Sequence, residues 1–119
     1  MSDEPWGERL AGVEEETLDG GLTLLKARTS RQRRRGLARM TPLPAGYGLW
    51  IKTISIHTFG MRFALDLVWV GRDGRVLRVD HAVPPGRLKL CVRARAVIET
   101  AAGGGDAFAA TLDLSLIHI

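Results

Sequence analysis

Alternating apolar and polar residues, interrupted by glycine and proline, mark the second half of the chain. Residues 63–70 (FALDLVWV) and 75–83 (RVLRVDHAV) are rich in the β-branched and aromatic side chains that pack well on a pleated sheet. Asp73 and Gly74 between them form the pair that a two-residue hairpin turn favours, because both positions tolerate a positive φ. The pattern therefore predicts an antiparallel β-hairpin.

Shorter apolar runs bounded by turn residues predict further strands at residues 22–26, 48–51, 88–92 and 96–100. Thr29 or Ser30 is expected to cap a short helix that ends near Leu37, and Asp106 to cap a second one over residues 106–112. Many short strands with one or two short helices predict a single α+β domain, built mostly on antiparallel β sheet. The pattern leaves open whether the sheet closes into a barrel.

Charge is unevenly distributed along the 119 residues, whose net charge is +4. Residues 1–20 carry seven acids and one base, whereas residues 21–50 carry seven bases and no acid. Residues 1–21 are therefore predicted to be an acidic flexible leader, either lying against the basic segment or solvated, and residues 22–113 to be the domain. The chain has no apolar run near the ~18–20 residues of a membrane span and no signal peptide, which predicts a cytoplasmic protein without membrane contact.

The last six residues, LSLIHI, are the translation of CTG-TCT-CTT-ATA-CAC-ATC. This DNA sequence resembles the transposase mosaic-end adapter used to fragment DNA for sequencing libraries. Residues 114–119 are therefore predicted to be translated adapter, so His118 carries no functional weight.

Several kinds of site are disfavoured by composition. The single cysteine, Cys91, excludes an internal disulfide and a cysteine-rich metal site. Glycines 103–105 lack the spacing and the lysine of a phosphate-binding loop, and no Gly-x-Ser-x-Gly segment occurs. His81 shares a strand face with Leu77 and Val79, which predicts a core histidine. The sequence thus predicts no metal and no cofactor, and it leans against an enzyme.

Three segments carry a family resemblance: residues 27–37 (ARTSRQRRRGL), 55–73 (SIHTFGMRFALDLVWVGRD) and 97–103 (VIETAAG). They resemble the small bacterial and archaeal family catalogued as domain of unknown function 192, in the form where His-Thr precedes Met-Arg-Phe. The resemblance implies a fold and a loop motif over residues 22–112, without an established activity, and places the family's last strand beyond Leu112. Ala64 departs from the family's frequent Pro, and Lys52-Thr53-Ile54 from a segment that often holds Cys or Asn.

Strand alternation places Asp66 on the same face as Arg62, Ala64, Val68 and Val70, opposite Phe63, Leu65, Leu67 and Trp69. A carboxylate in a strand buried on both faces needs a hydrogen-bonding or charged partner. The available partners are His57, Arg62 and Glu99. Arg62 lies roughly 13 Å away along a regular strand, so His57 from the preceding loop is the preferred partner.

The candidate site is a polar pocket around the SIHTFGMRF loop, with binding residues His57, Thr58, Met61, Arg62, Asp66 and Glu99. The first hypothesis is a small accessory or binding domain that holds a small ligand or a segment of a partner protein. The alternative is a small hydrolase in which His57 acts as a base, oriented by Asp66 or Glu99. In a purely structural interpretation, His57 and Thr58 bond to backbone while Asp66 anchors the loop.

Arginines between positions 31 and 39 raise a third hypothesis, nucleic-acid binding. It is disfavoured because no aromatic residue is interleaved to stack on bases and because successive helical arginines fan around the axis. The ligand and the oligomeric state are not determined by the sequence.

Overall fold

The computed structural model describes residues 3–29, 32 and 36–117 of the chain, without the side chains of residues 114–117. Most of the predicted arginine helix and His118 therefore lie outside the described residues. The elements in chain order are α1 (Trp6–Arg9), β1 (Glu14–Thr17), a 3-10 turn (Asp19–Gly21), β2 (Thr23–Ala27), β3 (Tyr47–Ile51), β4 (Ser55–His57), β5 (Leu65–Val70), β6 (Val76–Val83), β7 (Leu88–Leu90), β8 (Ala96–Ala101) and α2 (Gly105–Ile117).

Six of these strands form one sheet in the order β1-β2-β3-β8-β5-β6, and β4 and β7 form a separate two-stranded ribbon. All pairs are antiparallel except β2 with β3. The predicted α+β class, dominated by antiparallel sheet, is therefore confirmed. The described sheet does not close into a barrel, since β1 and β6 lie at its two ends.

Two adjacent interior strands, β5 and β8, are buried almost throughout, which explains their nearly continuous apolar sequences. The side chains of Leu65, Leu67 and Trp69 belong to one apolar core, and those of Val68 and Val70 belong to another. The predicted division of residues 65–70 between two faces is thus confirmed. We call the side that carries Leu67 the first face of the sheet and the side that carries Val68 the second face.

Helix α2 covers the second face, where Phe108 packs with Leu24, Val68 and Ile98. Close approach here depends on Gly48, because a Cβ at that position would lie 2.7 Å from Ile98 Cγ2 and 3.0 Å from Phe108 Cζ. The first face is covered by the N-terminal segment, by residues 36–43 and by Met61 and Ile56. No described helix is long and apolar enough to cross a membrane.

Residues 3–21 do not form the flexible leader predicted from their charge. Leu10 and Val13 are buried in the core of the first face, and β1 pairs with β2 along the edge of the sheet. Two ion pairs accompany this pairing, Glu14 to Arg28 at 2.6 Å and Glu16 to Lys26 at 3.2 Å. The charge pattern did not reveal this segment because only a few apolar side chains attach it to the cores, namely those of Trp6, Leu10, Val13 and Leu18.

The start of the predicted arginine helix is partly described. Thr29 Oγ1 accepts a hydrogen bond from the backbone N–H of Gln32 (3.0 Å), and Gln32 Oε1 accepts one from the N–H of Thr29 (3.0 Å). These reciprocal bonds are those of a capping box, with Thr29 as the cap.

Candidate functional site

A pocket of about 420 Å³ opens on the first face of the sheet, between the end of β3, strand β4 and residues 36–38. Such a volume is in the usual range for small-molecule sites. Its polar side chains are those of Lys52, Thr53, Ser55, His57 and Glu99, and its remaining lining comes from Gly36, Ala38, Ile51, Ile56 and Met61. Half of the lining residues are therefore polar, although most of the surface that the pocket exposes is apolar.

Glu99 lies in β8, between Leu49 of β3 and Leu67 of β5, both of which are fully buried. Its own exposure is 1%, and its Oε1 atom has no hydrogen-bond partner among the described residues. Burial raises the pKa of this carboxyl from 4.5 to about 8. Near neutral pH, Glu99 is therefore mainly an uncharged acid that can both donate and accept a hydrogen bond.

Gly36 provides the space beside this carboxyl. Its φ is +47°, and a Cβ at this position would lie 3.1 Å from Glu99 Oε1. The surrounding backbone is held by Arg9, whose guanidinium donates to the carbonyls of Gly36 (3.4 Å) and Ala38 (2.9 Å) and pairs with Glu4 at 2.9 Å. The N-terminal segment thus fixes one wall of the pocket.

His57 lies at the end of β4, opposite Leu88 of β7. Its exposed ring is tilted by 33° to the ring of Phe59, at a centroid distance of 5.4 Å. It lines the pocket, as does Glu99, but no hydrogen bond joins its ring to a carboxylate within the described part of the chain. The orienting bond that a histidine base requires is therefore absent from these residues.

Thr58 does not line the pocket. It is fully buried, its Oγ1 donates to the carbonyl of Pro84 (2.8 Å), and the same oxygen accepts from the N–H of Arg87 (2.8 Å). Its backbone N–H also donates to the carbonyl of Arg87 (2.8 Å). Thr58 therefore fastens the central loop to the turn between β6 and β7.

Asp66 lies on the second face of the sheet, away from the pocket. It is opposite Thr100 in the β5–β8 register, whereas Glu99 is opposite Leu67, and successive side chains of a strand point to opposite faces. The hydrolase hypothesis in which Asp66 orients His57 is therefore wrong. Its inclusion in a common pocket with Glu99 is wrong for the same reason.

All three hydrogen bonds recorded for the Asp66 carboxylate come from backbone N–H groups. Oδ1 accepts from Ala82 (2.8 Å), and Oδ2 accepts from Gly103 (3.0 Å) and Gly105 (2.9 Å). Ala82 has a φ of +48°, which is costly for a residue with a side chain. Asp66 therefore joins β6 to the start of α2, and the partners predicted from the sequence, His57, Arg62 and Glu99, are not its partners.

The remaining predicted site residues, Met61 and Arg62, lie in different places. Met61 is buried and lines the pocket, whereas the exposed Arg62 pairs with Asp3 at 2.9 Å. Of the six predicted binding residues, the pocket contains His57, Met61 and Glu99. Sequence reasoning missed the lining residues Gly36, Lys52, Thr53 and Ser55. The signal for Lys52 and Thr53 was available, because that segment departs from the family pattern.

One other prediction about a side chain is corrected by the fold. His81 is exposed rather than in the core, and its Nε2 lies 2.7 Å from Asp106 Oδ1, a hydrogen bond that raises the pKa of His81. Within the described ranges, no three side chains of the His, Cys, Asp or Glu type come together in a way that could hold a metal ion.

Comparison with known proteins gives a family and a fold. The model of the DUF192 family, described as uncharacterized ACR, matches residues 14–113. A solved Sinorhizobium meliloti protein, provisionally described as a transcription regulator, is 17% identical with a TM-score of 0.66, over 79% of this chain and 82% of that one. A protein of unknown function from Novosphingobium aromaticivorans is 20% identical with a TM-score of 0.63, over 87% of this chain and 89% of that one. No curated protein matches the chain.

Proposed function

The chain belongs to the DUF192 family, whose description assigns no activity, and we propose that it is a small-ligand-binding domain. The site is the pocket on the first face of the sheet, and Glu99 is the group that selects the ligand. A bound molecule would hydrogen-bond to Glu99 at the buried end of the pocket and contact Lys52 and His57 nearer its mouth.

The observation that carries this proposal is the unpartnered Oε1 atom of Glu99 next to a cavity. A buried polar group without a partner costs about 1–3 kcal/mol of stability. The second buried acid in the sheet, Asp66, is equally inaccessible but accepts three hydrogen bonds. A ligand in the pocket would supply the partner that the described residues do not.

The proposal is tested by thermal unfolding and protein-observed NMR with separate panels of carboxylates, amines, polyols and nucleotides. We expect at least one class to raise the melting temperature and to shift the resonances of pocket residues. Glu99→Leu, which removes all hydrogen-bonding capacity there, should abolish the response. His81→Gln, an exposed substitution on the second face, is the control and should retain it. If no panel member binds the wild-type protein, the proposal is wrong.

The other hypotheses have less support. A hydrolase built on His57 and Glu99 would need a bond between them that does not occur among the described residues. The Sinorhizobium protein is described as a transcription regulator, but at 17% identity its likeness to this chain indicates the fold alone and adds nothing to the nucleic-acid hypothesis. The cytoplasmic location expected from the sequence stays a prediction.

A further inference from the structure

The charges around the pocket narrow the chemical class of its ligand. Among the described lining residues the ionisable groups are Lys52, His57 and Glu99, so the wall contains a single acid. That acid is buried where charge is disfavoured, whereas Lys52 is exposed and cationic. An ammonium ligand would meet the repulsion of Lys52 and would require Glu99 to ionise inside the protein. A ligand with negative charge avoids both costs.

The free hydrogen-bonding groups point the same way. Thr53 Oγ1 already donates to the carbonyl of Ser55 (2.8 Å) and accepts from its N–H (3.2 Å), so that hydroxyl is committed. The protonated carboxyl of Glu99 and the ammonium of Lys52 are donors, and an ammonium cannot accept. A ligand with acceptor oxygens can therefore use both donors at once, Glu99 at the buried end of the pocket and Lys52 nearer its mouth.

We propose that the ligand is a small organic carboxylate, whose oxygens accept hydrogen bonds from Glu99 and Lys52 and whose apolar part packs on Ile51, Ile56 and Met61. This inference rests on the proposed function of the same pocket. A carboxylate suits the site better than a phosphate, because one lysine and a largely apolar wall provide little to neutralise a dianion.

The proposal fixes the sign of a pH dependence. Around Glu99, β3 and β5 contribute the apolar Leu49 and Leu67, and the opposite wall contributes Gly36. The described titratable groups facing it are Lys52 and His57, and Arg9 lies behind the wall on the carbonyl of Gly36. Glu99 donates only while protonated, so carboxylate affinity should fall as the pH rises past about 8.

The experiment measures dissociation constants by calorimetry at pH 7.0 and pH 9.5, at constant ionic strength. The probes are sodium acetate, pyruvate, lactate, succinate and benzoate, with butylamine and glycerol as other classes. We expect at least one carboxylate to bind, with an affinity at least ~10-fold weaker at pH 9.5. Glu99→Gln, whose amide donates at both pH values, should lose this pH dependence while it still binds. Far-UV circular dichroism and a melting curve verify that each variant is folded.

Lysine variants give a matched control. Lys52→Met should weaken carboxylate binding by roughly 5–10-fold, the effect of losing one charge-assisted hydrogen bond. Lys89→Met, on β7 outside the pocket lining, should leave the affinity unchanged.

Each contrary result has a distinct meaning. Binding of butylamine or glycerol without any carboxylate would overturn the ligand class but leave the proposed pocket function in place. The same conclusion follows if carboxylate affinity rises with pH or is equally pH-insensitive in the wild-type and Glu99→Gln proteins. If no probe of any class binds, both the ligand class and the proposed function are wrong.

Discussion

Two buried acids in neighbouring strands should respond to substitution with opposite signs. Asp66 and Glu99 are each 1% exposed, but Asp66 accepts three backbone hydrogen bonds and Glu99 Oε1 accepts none from the described residues. We therefore expect Glu99→Leu to stabilise the protein and Asp66→Asn to destabilise it. This contrast tests whether Glu99 contributes to the fold or to a bound ligand.

The magnitude for Glu99 follows from its pKa. The unfolded chain ionises this carboxyl with a pKa of 4.5, but burial raises it to about 8 in the native state. At pH 7 this difference corresponds to a stability loss of about 3 kcal/mol, by linkage. Leu is close in size and suits a site beside Leu49 and Leu67, so a net gain of ~1–3 kcal/mol is expected after local relaxation. This corresponds to roughly 3–6 °C in melting temperature for each kcal/mol.

The pH dependence gives a second check on the same variant. Between pH 4.5 and 8 the native state holds a proton on Glu99 that the unfolded state lacks. Wild-type stability therefore falls as the pH rises through this range, and the contribution levels off above it. The advantage of Glu99→Leu should grow from pH 5 to pH 8 and then stay constant.

Asp66→Asn keeps the shape of the side chain but replaces one acceptor oxygen with an amide nitrogen. At least one of the backbone N–H groups of Ala82, Gly103 and Gly105 then loses its partner, which should cost ~2–3 kcal/mol. Urea unfolding at pH 5, 7 and 8.5 measures both variants. If Glu99→Leu is destabilised as much as Asp66→Asn, the Glu99 carboxyl has a stabilising partner and the argument for the pocket fails.

Three further predictions concern single contacts. Gly36→Ala should lower the free energy of unfolding by ~1–2 kcal/mol, because the φ of this residue is +47°. The new Cβ would also lie 3.1 Å from Glu99 Oε1, so the variant should bind the probes more weakly. Melting curves measure the first effect and titration measures the second. Thr58→Val removes the hydroxyl that is hydrogen-bonded to Pro84 and Arg87 and should lower the free energy of unfolding in urea by ~1–3 kcal/mol. An unchanged free energy would contradict the view that Thr58 holds the central loop to the turn between β6 and β7. His81 has a raised pKa because Asp106 bonds to its ring, so its contribution to stability is complete below pH ~6.5 and is lost as the pH rises through its folded pKa. His81→Gln should therefore differ from wild type in melting temperature at pH 6 and converge with it at high pH, and a constant difference would contradict this.

The elements that were predictable are those whose sequence signal is strong. The hairpin of β5 and β6 was found because Asp73-Gly74 separates two long β-forming runs. Strand β1 was missed because its four residues, Glu14–Thr17, are all exposed and three are glutamates, which rarely favour a strand. Its place in the sheet is set by pairing with β2 and not by its own propensity.

Side-chain direction was harder to predict than strand position. In the strand predicted over residues 88–92, the apolar Leu88 and Leu90 are exposed, whereas Cys91 packs against the core with Ile56. Within one strand, alternation states which residues share a face, but it does not state which face is covered. For β7, the packing of the β4–β7 ribbon on the core determines which face is covered.

The same limit explains why the prediction placed Asp66 and Glu99 in one pocket. The alternation within β5 was correct, but the sequence does not give the register between β5 and β8. Moving that register by one residue would bring Glu99 opposite Asp66 and onto the same face. A predicted cluster that takes residues from two strands therefore depends on the register between those strands, and the sequence of neither strand determines it.

The two faces of the sheet differ in how completely their polar groups are used. On the second face, Asp66 binds three backbone N–H groups and thereby fixes the start of α2 and the strained Ala82. On the first face, Arg9 and Gly36 hold the wall beside Glu99 open, although filling that space with an apolar side chain would be the more stable arrangement. The three hydrogen bonds give the burial of Asp66 a structural reason, whereas the described residues give none for the burial of Glu99. A ligand for Glu99 accounts for both the cavity and the cost, which is why function should be sought there.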